Sequence, residues 1–158
     1  MGAYILLAGP AKDKCVLRPS ILIADDDASI RGLLRVIAER NALHADEAPN
    51  GVEALDLIDR NAYDVVLLDL AMPHVNGFDL VDLLRHQSRR PAVIVLTALS
   101  RSSFPDLDPA VVHCVIRKPF DLDLLMTLIV SAANALYERR EQLARHAQQR
   151  DQPPEARM

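Results

Sequence analysis

The sequence lacks three features that would point to a nucleic-acid-binding, disulfide-linked or membrane-spanning protein. Its 158 residues include 18 Lys and Arg against 22 Asp and Glu, and the formal net charge of −4 gives no basic excess for nucleic acid. The two cysteines, Cys15 and Cys114, have no metal-ligand spacing and are expected to be reduced thiols. The longest apolar stretch, residues 122–136, is interrupted by polar residues and is shorter than the roughly 20 residues that span a bilayer. We therefore expect a soluble cytoplasmic protein with no nucleic-acid or membrane partner.

What the sequence does contain is a series of short apolar runs that alternate with helical patterns. The runs ILIA (21–24), VVLLD (65–69) and AVIVLT (92–97) have the apolar continuity of strands buried on both faces. Weaker strands are expected at residues 44–48 and 112–116. Because strands and helices alternate, the pattern predicts an α/β domain: a five-stranded parallel sheet with helices on both faces.

The domain is expected to occupy residues 19–137, with an extension at each end. Residues 1–18 would form an N-terminal extension, and residues 138–158 a helical extension with a flexible tail and no output domain. The extension is either a solvated continuation of the last helix or a short coiled coil that makes a homodimer. A coiled coil here would be weak, because Arg139 would lie in its seam.

The predicted strands end in charged or polar residues. The first strand runs into Asp25 and Asp26, the next buried strand ends at Asp69, the third ends at Thr97, and Lys118 follows the last strand. In a doubly wound sheet these strand ends meet at one crevice. Neighbouring carboxylates repel one another unless a cation lies between them, and Mg²⁺ prefers such oxygen ligands. A metal and a lysine would also hold a phosphoryl group, which a carboxylate can accept as an aspartyl-phosphate.

Other candidate ligands are expected to have structural roles. Asp27 lies where a helix should begin, and we predict that it caps that helix. The five histidines have no partners at metal-ligand spacing, and we expect none of them to bind a metal.

Four motifs together resemble the receiver domain of two-component response regulators. They are ILIADDD, LLDLAMPHVNGFDL, VLTA and RKPF, in the family's order and close to its spacing, and the resemblance covers about residues 19–137. Each motif is weak by itself, whereas all four at the ends of predicted strands are specific. The resemblance implies a flavodoxin-like fold with strand order 2-1-3-4-5. It also implies a signalling switch rather than an enzyme, phosphorylated by a sensor histidine kinase or phosphotransfer protein and acting on a downstream protein that the sequence does not identify.

The resemblance assigns the acidic residues. It implies that Asp69 is the phospho-acceptor and that Asp25 and Asp26 are the family's acidic pair. Asp26 would bind Mg²⁺ directly and Asp25 through water. Asp69 and the backbone carbonyl of Ala71 would complete the protein ligands of the metal.

The resemblance also assigns the remaining polar groups of the site. Lys118 would pair with the phosphoryl group, Thr97 would be the switch hydroxyl, and the peptide between Lys118 and Pro119 would be cis. At Val115 the family usually has Tyr or Phe, so the resemblance does not extend to the aromatic side chain that moves together with the threonine.

Two further departures from the family bear on mechanism. Pro105 and Pro109 forbid a long regular helix between the third buried strand and the last strand, so the fourth helix of the family should be short or displaced. Ala71 and Leu99 stand two residues beyond Asp69 and Thr97, where side chains would flank the phosphoryl group. Because neither can hydrogen-bond a water, we predict slow self-dephosphorylation.

Two other function classes remain as alternatives. A haloacid-dehalogenase-like phosphohydrolase also uses an aspartyl nucleophile, but it needs a second acid where this chain has Ala71. A degenerate receiver would act as a phosphorylation-independent scaffold or dimerisation module. The intact acids, threonine and lysine argue against that reading.

Overall fold

The computed structural model describes residues 18–87, 89–103 and 107–150. Within them, five parallel strands form one sheet in the order β2-β1-β3-β4-β5, which confirms the predicted topology. The strands are β1 (Ser20–Ala24), β2 (His44–Ala48), β3 (Val65–Leu68), β4 (Ala92–Thr97) and β5 (Val112–Arg117). The three strands predicted as buried are the central ones, which explains their continuous apolar runs.

Helices cover both faces of the sheet. They are α1 (Ala28–Arg40), α2 (Gly51–Arg60), α3 (Gly77–Arg85) and α4 (Leu122–Arg150). Successive residues of a strand point to opposite faces, and the core is divided accordingly. Leu22 lies in the cluster that packs under α2 and α3, whereas Ile21 and Ile23 lie in the cluster under α1 and α4. The flavodoxin-like α/β fold expected from the sequence is therefore confirmed.

Short polar side chains fix where the helices begin. The Asp27 carboxylate accepts hydrogen bonds from the backbone N–H groups of Ser29 and Ile30 at 2.8 and 3.2 Å. The Asp121 carboxylate accepts one from the N–H of Leu124 at 2.8 Å. Both satisfy donors that have no partner inside a helix. Asp27 is thus the helix cap that the sequence predicts.

The connection between β4 and β5 differs most from a regular βα repeat. Its described residues form only one short 3-10 helix, Arg101–Ser103, as the prolines of this segment predict. Residues 104–106 lie outside the described part. The preceding and following strands still pair, and Val111 and Val112 at the start of β5 are buried in the core. On the outer face of β5, Val115 remains 37% exposed.

The last helix continues well past the sheet, through Arg150. Arg140, one turn beyond the expected end of the domain, forms an ion pair with Asp64 and donates a hydrogen bond to the carbonyl of Tyr63 at 3.1 Å. The helical extension is therefore attached to the domain at this point. Residues 1–17 and 151–158 lie outside the described part, so the N-terminal extension and the flexible tail stay predictions. In the described residues, no helix is both long and apolar enough to cross a bilayer.

Candidate functional site

Strand pairing brings the predicted site residues to one edge of the sheet. Ala24 of β1 pairs with Leu68 of β3, so the residues that follow them, Asp25 and Asp69, lie side by side. The backbone N–H of Asp69 donates to the carbonyl of Ala24 at 2.8 Å and extends this pairing. Thr97 ends β4, the next strand, and completes this carboxyl edge. The parallel topology thus gathers side chains that are distant in the sequence.

Lys118 links the two buried acids. Its Nζ atom lies 2.6 Å from Oδ2 of Asp25 and 2.8 Å from Oδ2 of Asp69. The backbone N–H of Lys118 donates to the carbonyl of Thr97 at 2.9 Å, which fixes where the side chain starts. The Lys118–Pro119 peptide is cis, as the family resemblance implies. The lysine therefore occupies the position from which an ammonium group can neutralise both carboxylates.

The pKa values of this cluster reflect burial and opposite charge. Burial raises the pKa of Asp25, and the hydrogen bond and charge of Lys118 only partly offset this effect. For Lys118, burial acts to lower the pKa, but the hydrogen bonds and charges of Asp25 and Asp69 outweigh it, and the pKa is raised. The ammonium group is therefore strongly retained, whereas the Asp25 carboxyl resists losing its proton. Such a site favours a further cation.

The three acids have the composition and spacing of a Mg²⁺ site. Asp25, Asp26 and Asp69 each offer an oxygen, and the three oxygens lie within 4.8 Å of one another. Asp25 and Asp69 are buried, whereas Asp26 is exposed and leaves one side of the group open to water. Mg²⁺ binds oxygen ligands and usually keeps several waters, so this arrangement fits the ion. Among the described residues, the group that could hold a metal contains no histidine.

Backbone N–H groups donate to the side chains of Asp69 and Thr97. The N–H of Ala71 donates to Oδ1 of Asp69 at 3.0 Å, so the backbone of Ala71 lies next to the carboxylate. The hydroxyl oxygen of Thr97, which is fully buried, accepts a hydrogen bond from the N–H of Leu99 at 3.1 Å. Among the described residues, no hydrogen bond joins this hydroxyl to Asp69 or Lys118. Thr97 is thus near the site but oriented toward its own loop.

Two supporting residues could not be assigned from the sequence. Arg31, one turn into α1, donates from Nη1 to the carbonyl of Asp25 at 2.7 Å and holds the backbone of the acidic loop. Gly77 approaches the loop after β3 so closely that an added Cβ would lie 2.6 Å from the carbonyl oxygen of Asp69. Only glycine permits this contact without moving the backbone. The Asn-Gly sequence at 76–77 signals a turn, but the close approach depends on tertiary structure.

Comparison with known proteins agrees with this geometry. The sequence model of the response regulator receiver domain matches residues 21–130. The transcriptional regulatory protein SrrA of Staphylococcus aureus is 42% identical over 78 residues, which are 49% of this chain and 32% of that protein. The match therefore spans about a third of that relative's length.

Solved receiver domains also share the fold. The receiver domain of the Francisella response regulator 1452 is 35% identical, with a TM-score of 0.65 over 77% of this chain and 98% of that one. The response regulator TrrA from Thermotoga maritima, solved in complex with Mg²⁺ and BeF, is 32% identical, with a TM-score of 0.63 over 72% and 98%. With the family match covering more than half of the chain, the protein belongs to the response regulator receiver domain family.

Proposed function

We propose that Asp69 accepts a phosphoryl group from the phosphohistidine of a sensor histidine kinase or phosphotransfer protein. The observation that carries this proposal is the buried Asp69 carboxylate, paired with Lys118 and grouped with two further acids. A buried carboxylate with an ammonium group on one side and a cation site on the other can attack phosphorus, because both cations offset the charge that the phosphoryl oxygens bring.

In the transfer step, one oxygen of Asp69 forms a bond to phosphorus while the bond from phosphorus to the donor nitrogen breaks and its electron pair stays on the imidazole. We assign Asp25, Asp26, Asp69 and the backbone carbonyl of Ala71 as the ligands of Mg²⁺. When bound, this ion would neutralise charge on the phosphoryl oxygens. Lys118 then exchanges its hydrogen bond with the Asp69 carboxylate for one with a phosphoryl oxygen.

Thr97 is the residue whose hydrogen bonding would change on phosphorylation. Its hydroxyl now accepts from the N–H of Leu99, and it could instead donate a hydrogen bond to a phosphoryl oxygen on Asp69. That change would rearrange the loop after β4 and alter contacts with a downstream protein. Because Val115 carries no ring, we propose that the loop itself, rather than an aromatic side chain, transmits the change.

The chemistry assigned here is that of a cytoplasmic signalling switch, with no turnover of a separate substrate. Phosphorylation and slow dephosphorylation of its own carboxylate would be the only reactions. Ala71 argues against a haloacid-dehalogenase-like phosphohydrolase, as the sequence indicates. Nothing favours the degenerate scaffold, since the acids, lysine and threonine that it would not need are intact.

The test is intact-mass measurement after incubation with acetyl phosphate and Mg²⁺. Wild type should gain one phosphoryl group, and Asp69→Ala should gain none. Asp56→Ala, which removes an exposed acid of α2, is the matched control and should behave as wild type. Chelation of Mg²⁺ should abolish the adduct. A folded wild-type protein that stays unmodified would contradict the proposal and favour the scaffold, as would equal modification of Asp69→Ala.

A further inference from the structure

A groove of about 780 Å³ lies at the edge of the sheet opposite the acidic site. One wall is the distal half of α4, and the other is formed by the segment before β4 and the start of β5. We call it the basal groove and define it by six lining residues: Arg90, His113, Leu136, Arg139, Arg140 and Leu143. The groove exists because α4 continues past the sheet.

The ion pair between Arg140 and Asp64 holds this part of α4 in place. The Asp64 side chain is 6% exposed and also accepts a hydrogen bond from the backbone N–H of Ser20 at 2.8 Å. Both carboxylate oxygens of Asp64 therefore have partners at the base of the sheet. Because Arg140 is paired, the part of α4 that borders the groove is held against the domain.

The remaining cations of the basal groove have no such partner. Among the described residues, neither Arg90 nor Arg139 has a hydrogen bond or an ion pair, and both are exposed. His113 is also exposed. The described residues that line the groove include no carboxylate, although the chain as a whole carries a net charge of −4. Burial lowers the pKa of Arg140 against the effect of Asp64, and the nearby positive charge of Arg89 adds to this lowering.

The same groove also contains apolar side chains. Leu143 is 64% exposed, and Leu136 is half-buried against the core. Leucines and unpaired arginines in one groove offer apolar contacts together with positive charge. Interfaces between proteins commonly combine an apolar centre with a polar rim in this way.

We propose that the basal groove binds an acidic, amphipathic segment of a partner protein, with its carboxylates on Arg90 and Arg139 and its apolar side chains on Leu136 and Leu143. This inference is independent of the chemistry at Asp69. A small anion would cover the arginines but leave the leucines exposed, whereas an amphipathic segment contacts both. A nucleic-acid backbone would leave Leu136 and Leu143 without apolar contacts, and a flat membrane cannot enter a groove.

The test uses the full chain and a fluorescein-labelled peptide of twelve residues in which Glu-Glu alternates with Leu-Leu. Fluorescence anisotropy should show saturable binding to wild type. The double variant Arg90→Gln, Arg139→Gln should weaken binding about tenfold, because two exposed charge pairs are lost. Leu143→Ser should weaken it as well. Arg40→Gln, which removes an exposed arginine at the end of α1, is the matched control and should leave binding unchanged.

Several results would overturn the proposal. One is the absence of any anisotropy change up to millimolar peptide, and another is equal binding by wild type and the double variant. Full competition by inorganic pyrophosphate at the peptide's own concentration would identify a small-anion site instead. Binding of duplex DNA or phosphatidylserine vesicles that depends on the same two arginines, with no peptide binding, would replace the protein partner by a different class of ligand.

Discussion

Replacing Lys118 by glutamine should strongly destabilise the metal-free protein. The ammonium group is the cation that the described residues place among three acids whose oxygens lie within 4.8 Å of one another. The Lys118→Gln side chain is similar in length but uncharged. It would leave two buried carboxylates and one exposed carboxylate repelling one another.

The structure sets the size of this effect. The Lys118 side chain is 15% exposed, and the side chains of Asp25 and Asp69 are 3% and 6% exposed. Removing one partner of such a buried pair typically costs about 3–5 kcal/mol. A glutamine amide can still donate a hydrogen bond, and Asp25 can take up a proton because its pKa is already raised. We therefore expect a loss near the lower limit, about 3 kcal/mol, which lowers the Tm by roughly 6–12 °C for a chain of this size.

The measurement is urea unfolding followed by circular dichroism, with EDTA or with Mg²⁺. In EDTA, Lys118→Gln should lose the stated free energy, and adding Asp25→Asn should restore part of it because one repelling charge is removed. Mg²⁺ should stabilise Lys118→Gln more than wild type, since a bound cation replaces the missing positive charge. Arg40→Gln, an exposed arginine, is the control for loss of a positive charge elsewhere.

Two results would refute this reasoning. If Lys118→Gln unfolds within about 0.5 kcal/mol of wild type in EDTA, its effect is that of an ordinary surface substitution and the acids do not repel one another as argued. If Mg²⁺ stabilises neither protein, the three carboxylates do not form a metal site.

Three further predictions concern the ion pair between Arg140 and Asp64, the lifetime of the phosphorylated state and the effect of pH on stability. Arg140→Gln should destabilise the protein by about 2 kcal/mol and speed hydrogen exchange in the distal part of α4, because its ion pair is largely buried; Arg139→Gln, next to it but exposed, should do neither. Phosphorylated wild type should decay slowly and Ala71→Asn several-fold faster, since an amide can position water where Ala71 and Leu99 cannot; rapid decay of wild type by intact mass would contradict this. The raised pKa of Lys118 contributes stability that is present below its ordinary value of 10.5 and is lost as the pH rises through the folded value. Alkaline unfolding of wild type should therefore show a loss that Lys118→Gln lacks.

The sequence was sufficient to predict the fold and the strand-end residues that the structure brings together. Buried strands are recognised from local composition, and an aspartate directly after such a strand must lie at the edge of a parallel sheet. Asp25, Asp69, Thr97 and Lys118 were accordingly placed together, and the structure brings them to one edge. The prolines near residues 105 and 109 indicated a disrupted connection before β5 by the same local reasoning.

Tertiary structure decided what depends on partners that are far apart in the chain. Lys118 contacts Asp25 across 93 positions, and Arg140 contacts Asp64 across 76. The sequence is compatible both with a solvated helix after residue 137 and with one that forms a dimer. In the described residues, part of it is fixed to the base of the sheet.

The distribution of charge is the clearest example of a property that tertiary structure determines and the sequence does not predict. A net charge of −4 gave no reason to expect a cationic surface, and the chain does not carry its arginines in one long run. Folding places Arg90, Arg139 and Arg140 around one groove. It places the acidic cluster of Asp25, Asp26 and Asp69 at the opposite edge of the sheet. The local sequence pattern determines the helices and strands and the residues at their ends, because both depend on residues that are neighbours in the chain. Which charges meet, and which stay without a partner, is determined only when distant segments pack against one another.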